Sequence, residues 1–138
     1  MTKRALCAVL ILTLSGVGLV HAVTPEEAAR SAADAWLVSW DANKYDDSYD
    51  ELAEQTKRDV TRAQWLDYWK AIRKPLGAMK SRQLVGAKYF KSLPNLPDHE
   101  GAMLQYQTSF ETKPSVLETL GMVREKDGTW RVANYQPR

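Results

Sequence analysis

The chain has 138 residues, with 19 Lys and Arg against 17 Asp and Glu and a single cysteine. A chain of this length supports one domain whose core stands without disulfide staples. The positive excess comes from Lys3 and Arg4; without the first 22 residues the balance is 17 to 17, which excludes an electrostatic footprint for nucleic acid or anionic lipid.

Lys3 and Arg4 precede an apolar run from Ala5 to Val20, and Val20-His21-Ala22 then offers a small residue at a cleavage position. This is the pattern of a signal peptide cut after Ala22. The run is shorter than the ~20 residues that span a bilayer. The expected mature domain is therefore 23–138, periplasmic or secreted, with no membrane span. Cys7 leaves with the leader, so the mature chain has no thiol for a disulfide, a zinc site or a nucleophile.

Thr24-Pro25-Glu26-Glu27 opens a first helix: Thr24 and Glu27 suit a capping box, and Pro25 suits the first helical position. Ala29, Ala32 or Ala33, Trp36, Leu37 and Trp40 form its apolar stripe, and Asp41-Ala42-Asn43 ends it. Tyr45, Tyr49, Leu52 and Ala53 mark a shorter second helix. Asp46, Asp47, Asp50 and Glu51 lack the glycine and terminal acid of a calcium loop and read as a solvated face. Thr61 and Gln64 cap a third helix, with Trp65, Leu66, Trp69 and Ile72 inward and Arg73-Lys74 in the last turn. Pro75-Leu76-Gly77 stops it.

Beyond Gly77 the apolar period drops to about two. Ser81 to Ser92 reads as a strand, followed by the proline-stiffened loop Leu93-Pro94-Asn95-Leu96-Pro97-Asp98. Ala102, Leu104, Tyr106, Thr108 and Phe110 give a second strand a clear inner face. Val116 to Glu125 forms a third. Lys126-Asp127-Gly128 is a hairpin turn, and Trp130, Val132 and Asn134 alternate with Arg131, Ala133 and Tyr135 in a fourth. Arg131 is expected to pair with Glu125 across the strands. Three helices followed by four antiparallel strands make the class α+β, with helices on one face of a curved sheet.

These residues carry a resemblance. Ala35-Trp36-Leu37, "DANKY" from Asp41 to Tyr45, "WLDYWKAIRKPLGAMKSR" from Trp65 to Arg82, "LPNLPD" from Leu93 to Asp98 and "DGTWRVANY" from Asp127 to Tyr135 resemble the domain-of-unknown-function 4019 family of exported bacterial proteins. The resemblance implies export and an α+β domain, and carries no catalytic residue. In the order of its elements the chain is also similar to the nuclear transport factor 2-like superfamily, whose curved sheet wraps its helices into a cone. That similarity implies a cavity, not an activity.

No Gly-x-Ser-x-Gly element is present, and His99 is the one histidine after the leader. It sits between Asp98 and Glu100 in the proline loop. His99 with Met103, Met79 and Met122 would be the ligands of a soft metal, but their spacing lacks the density of such sites. No cofactor is expected. An enzyme built in a cone would need a carboxylate and a Tyr, and Asp41 is the acid nearest the first helix's inward stripe. The reading favoured here is a non-enzymatic module that binds a small apolar or anionic ligand, or a protein partner. Tyr45, Trp69, Arg73 and Tyr106 are the expected pocket residues, with Arg73 and Arg82 as a fork for a carboxylate or phosphate. Val116, Leu117 and Val123 break the alternation of the third strand, which is explained either by a homodimer through the sheet or by a bend at Gly121 beneath a loop.

Overall fold

The computed structural model describes residues 18–138; most of the leader assigned above lies outside the described residues. Helix α1 spans Pro25–Asp41, α2 Tyr45–Asp50, α3 Glu54–Asp59 and α4 Arg62–Tyr68. A π turn, Trp69–Arg73, and a 3-10 turn, Lys74–Leu76, then lead to strands β1 (Met79–Phe90), β2 (Gly101–Phe110), β3 (Val116–Arg124) and β4 (Trp130–Pro137). The strands form one open antiparallel sheet in the order β1-β2-β3-β4. The fold is thus α+β as the sequence predicts. No helix of the described residues is long and apolar enough to cross a membrane.

Both predicted capping boxes form. The Thr24 hydroxyl accepts from the Glu27 amide while the Glu27 carboxylate accepts from the Thr24 amide, and Thr61 and Gln64 do the same for α4. Ala29, Ala33, Trp36, Leu37 and Trp40 of α1 are buried against the sheet. Trp36 stacks on Trp40 at 5.0 Å between ring centroids, and Trp65 and Tyr135 lie 5.2 and 5.1 Å from Trp40. The Trp36 indole donates to the Ser48 carbonyl and the Trp65 indole to the Ser48 hydroxyl, so two rings meet their polar needs at one buried serine. These rings occupy the space between the helices and the sheet where a cone would hold its cavity.

The structure departs from the sequence reading in four places, the first being the third predicted helix, which is α-helical only to Tyr68 and continues as the π and 3-10 turns. The stretch Glu54–Asp59 is an extra helix, although it buries no residue and has no apolar period. It is docked from outside: the Ala53 amide donates to the Val132 carbonyl, and the Glu54 amide donates to the Glu125 carboxylate. That contact takes Glu125 away from Arg131, its expected partner. In β4 a bulge shifts the register between the pairs Gly121–Asn134 and Met122–Val132. The extra residue turns Asn134 outward and Tyr135 inward, the reverse of strict alternation. The predicted hairpin itself is present: the Gly128 amide donates to the Glu125 carbonyl, and Gly128 adopts a positive φ of 87° that an L side chain rarely takes.

Candidate functional site

Four ionised side chains meet beneath the sheet's inner face. Asp41 ends α1, Arg73 ends the π turn, Arg82 lies on β1 and Glu118 on β3. Arg82 donates from Nε and Nη2 to the two oxygens of Glu118, at 2.7 and 3.1 Å. It also donates from Nη1 and Nη2 to the two oxygens of Asp41, at 2.5 and 3.1 Å. Arg73 donates from Nη2 to Asp41 at 3.1 Å and from Nη1 to the Gly77 carbonyl at 2.7 Å. Its guanidinium lies 4.7 Å from the centre of the Phe110 ring. Glu118, fully buried, also accepts from the hydroxyls of Thr108 and Tyr135, the latter at 2.6 Å.

Two guanidiniums and two carboxylates balance. This matters because an unpaired ion at such depth costs several kcal/mol, roughly, and a paired one far less. Burial opposes the Arg82 charge, but the hydrogen bonds it donates to Asp41 and Glu118 outweigh it and raise its pKa above the ordinary guanidinium value. Burial, followed by the Glu118 charge, raises the Tyr135 hydroxyl well above the ordinary tyrosine value. Asp41 stands at the C-terminal end of α1, where the helix dipole disfavours an acid, and the two guanidiniums offset that. The carboxylates of the cluster are satisfied from within it and by neighbouring hydroxyls. Asp41 already receives three N–H groups, and the Arg73–Arg82 fork is closed on the protein's own carboxylates. The polar atoms left over are Arg73 Nε and the indole nitrogens of Trp40 and Trp69, buried without a partner among the described residues.

The expected pocket residues divide between three surroundings. Tyr45 packs against Trp69, ring centroids 5.5 Å apart, and Arg73 belongs to the ion cluster with 2 % of its surface exposed. Tyr106 points the other way along the inner face and donates its hydroxyl to Asp34 at 2.7 Å. Burial, then that carboxylate, raises the Tyr106 pKa. Tyr106 borders a cleft of about 290 Å³ between α1 and β1, shared with Arg82, Asp41, Leu37 and Leu84. Glu118 and Asp34 were not singled out from the sequence. Glu118 did leave a signal: it replaces an apolar residue in the inward series Val116, Leu120 and Met122, and a charge at a core position calls for a partner.

The larger hollow lies on the opposite, outer face of the sheet and measures about 690 Å³. Phe90, Leu93 and Leu96 wall one side, Met103 and Val123 form its floor, and Asn134 and Gln136 of β4 stand opposite. The proline loop makes the lip. Leu93 folds over Gly101 so closely that a Cβ there would sit 2.4 Å from its methyl group. Gly101 pairs with Val123, so the same leucine shelters the outward valine that breaks the alternation of β3. Asn134 is fixed by its side-chain oxygen, which accepts from the Gly121 amide at 2.9 Å. Met103 and Met122 border this hollow, while Met79 stands at the other end of β1. His99 lies at the sheet's end beside Asp98, Glu100 and Arg124. Among the described residues no three His, Cys, Asp or Glu side chains are grouped to hold a metal ion.

A family model described as "Protein of unknown function (DUF4019)" matches residues 32–135, well over half of the chain. No curated protein matches. The chain belongs to that family, in agreement with the resemblance read from its motifs.

Proposed function

We propose that this family member is an exported, non-enzymatic binding module, and that its ligand is a small, largely apolar molecule held in the outer-face hollow. The observation that carries the reading is the contrast in satisfaction between the two faces. On the inner face every carboxylate of the ion cluster has its partners. On the outer face apolar side chains remain accessible around a concave space, Met103 with 37 % of its surface exposed. Small-molecule sites are typically ~300–1,000 Å³, mainly apolar, with a few fixed polar groups; the hollow lies in that range, with Asn134 fixed among its apolar side chains and the Asp59 carboxylate also on its lining. The amides of Asn134 and Gln136 would orient a neutral polar group on the ligand; with no Lys or Arg on its lining, the hollow suits an apolar ligand better than an anionic one.

The test is a titration of the mature chain, beginning at Val23, with the uncharged apolar fluorophore N-phenylnaphthylamine. Binding is expected to weaken at least about tenfold, or ~1.4 kcal/mol, in Met103→Glu and Leu96→Asp variants whose melting is unchanged. Equal binding by both variants would sink the reading. A dimer that Met103→Glu dissolves would assign the hollow to a second copy instead. Native mass spectrometry of the exported protein would check the cut after Ala22 and reveal any small molecule that co-purifies.

A second reading keeps the ligand on the helix side, around Tyr106 and the cleft it borders, without Tyr45, Trp69 and Arg73, which do not line it. What supports it is the Tyr106 hydroxyl, whose oxygen can still accept a hydrogen bond at the cleft wall. Leu84→Trp, which fills that cleft, would abolish binding under this reading and leave it intact under the first.

A further inference from the structure

The two outer strands of the sheet are treated differently by the rest of the chain. Along β4 the outward carbonyls are occupied: Val132 accepts from the Ala53 amide at 2.8 Å, Ala133 from the Thr56 hydroxyl at 2.9 Å, and Tyr135 from the Tyr68 hydroxyl at 2.5 Å. Along β1, a strand of 12 residues, no such bond is made by any described residue outside the sheet. An edge strand with unpaired N–H and C=O groups is a template for one more strand. Val85 at its middle is 55 % exposed and offers an apolar contact beside that template.

Charge decides what kind of strand fits. From Tyr68 to Pro97 the sequence has seven Lys and Arg and no Asp or Glu. Arg73 and Arg82 are neutralised in the ion cluster. Lys80 and Lys88 on β1 and Lys91 just beyond it are exposed and form no ion pair among the described residues. An incoming strand places its side chains ~5 Å from those of β1, where opposite charges attract and like charges repel. Pairing with a second copy about Leu84 would set Lys80 of each copy against Lys88 of the other. The bulge between Leu84 and Gly86, and a second register shift that contains Lys80, further disfavour a long flat self-pairing and leave the straight run from Gly86 to Phe90.

We propose that the open edge of β1 is a docking site for an extended acidic segment of another protein, which adds to the sheet as a fifth strand. Its backbone pairs with the run of β1 from Gly86 to Phe90, its carboxylates face Lys88 and Lys91, and an apolar residue covers Val85. The site is separate from the outer-face hollow and stands or falls independently of it.

The experiment uses the mature chain and a labelled probe peptide that alternates Glu and Val, read by fluorescence anisotropy. Binding should weaken with added salt. It should weaken about tenfold in the Lys88→Glu/Lys91→Glu variant, the effect of reversing two exposed pairs. It should vanish when alternate peptide amides are N-methylated, since those amides form the ladder. Amide hydrogen exchange should slow on β1 and not around Met103 or Leu96. Four results would overturn the proposal: no binding at millimolar peptide, binding indifferent to the charge reversal, protection on the outer face, or a dimer of the free protein that shields β1 by itself.

Discussion

The β4 side and the β1 side of the sheet are held by different forces. β4 buries Trp130, Val132 and Tyr135 against α1 and the Trp cluster, and its edge is capped by α3 and α4. β1 buries no residue completely. Beside the partly buried Leu84 and Tyr89, it is attached by Arg82, which reaches beneath the sheet to Asp41 of α1 and Glu118 of β3. One edge is therefore packed and closed, the other tethered by charge and open. A sheet needs to close only the edges it does not use.

The sharpest way to break the contrast is Arg82→Met. It strips four of the seven hydrogen bonds from half-buried Asp41 and buried Glu118, and is expected to cost about 3–5 kcal/mol in urea unfolding. A loss below about 1 kcal/mol would mean that packing, not charge, holds β1. High pH should strike the other side. Burial raises the hydroxyl pKa of Tyr135 and Tyr68 above the ordinary 10.0, with Glu118 adding to the effect at Tyr135. For such groups the stabilisation is complete below pH 10 and is lost as pH rises through the folded-state values. Stability should fall above about pH 10, and Tyr135→Phe should flatten that fall. Melts across an alkaline series read it directly; an unchanged slope in the variant would contradict it.

Smaller changes refine the comparison. Tyr68→Phe uncaps the Tyr135 carbonyl, and Thr56→Val uncaps that of Ala133. Each should cost about 1 kcal/mol, near the net worth of one hydrogen bond. At the weak end, Lys80→Glu and Lys88→Glu should move stability by less than about 0.5 kcal/mol, as surface changes do. Native-state hydrogen exchange would then place the outward amides of β1 among the fastest of the sheet. If β1 exchanges as slowly as β3, its edge is closed by another chain.

Local chemistry made much of this legible from the residues alone. Capping boxes at Thr24 and Thr61, the stripe of α1, the inner face of β2 and the Asp-Gly hairpin depend on near neighbours, whose spacing is written in the chain. The last hairpin was legible in the same way, with Gly128 at its turn and Trp130 in the core. Part of the candidate site was legible too. Arg73, Arg82 and Asp41 were each picked out by type and position, though as a ligand fork and an acid rather than as partners of one another. Glu118, the fourth member, needed β3 to be set beside β1 and β2 before its inward charge had a purpose.

What only the tertiary structure decided are the features whose energy comes from distant residues. The polar helix α3 exists because Val132 and Glu125 receive its first amides from more than seventy residues away. The β4 bulge turns Tyr135 inward because Glu118 and the Trp cluster reward that placement. The ion cluster balances because the fold brings two acids and two bases to one point. Periodicity reports which face of an element is apolar. It does not report which two elements will share a charge, because that depends on distances the chain acquires only when folded.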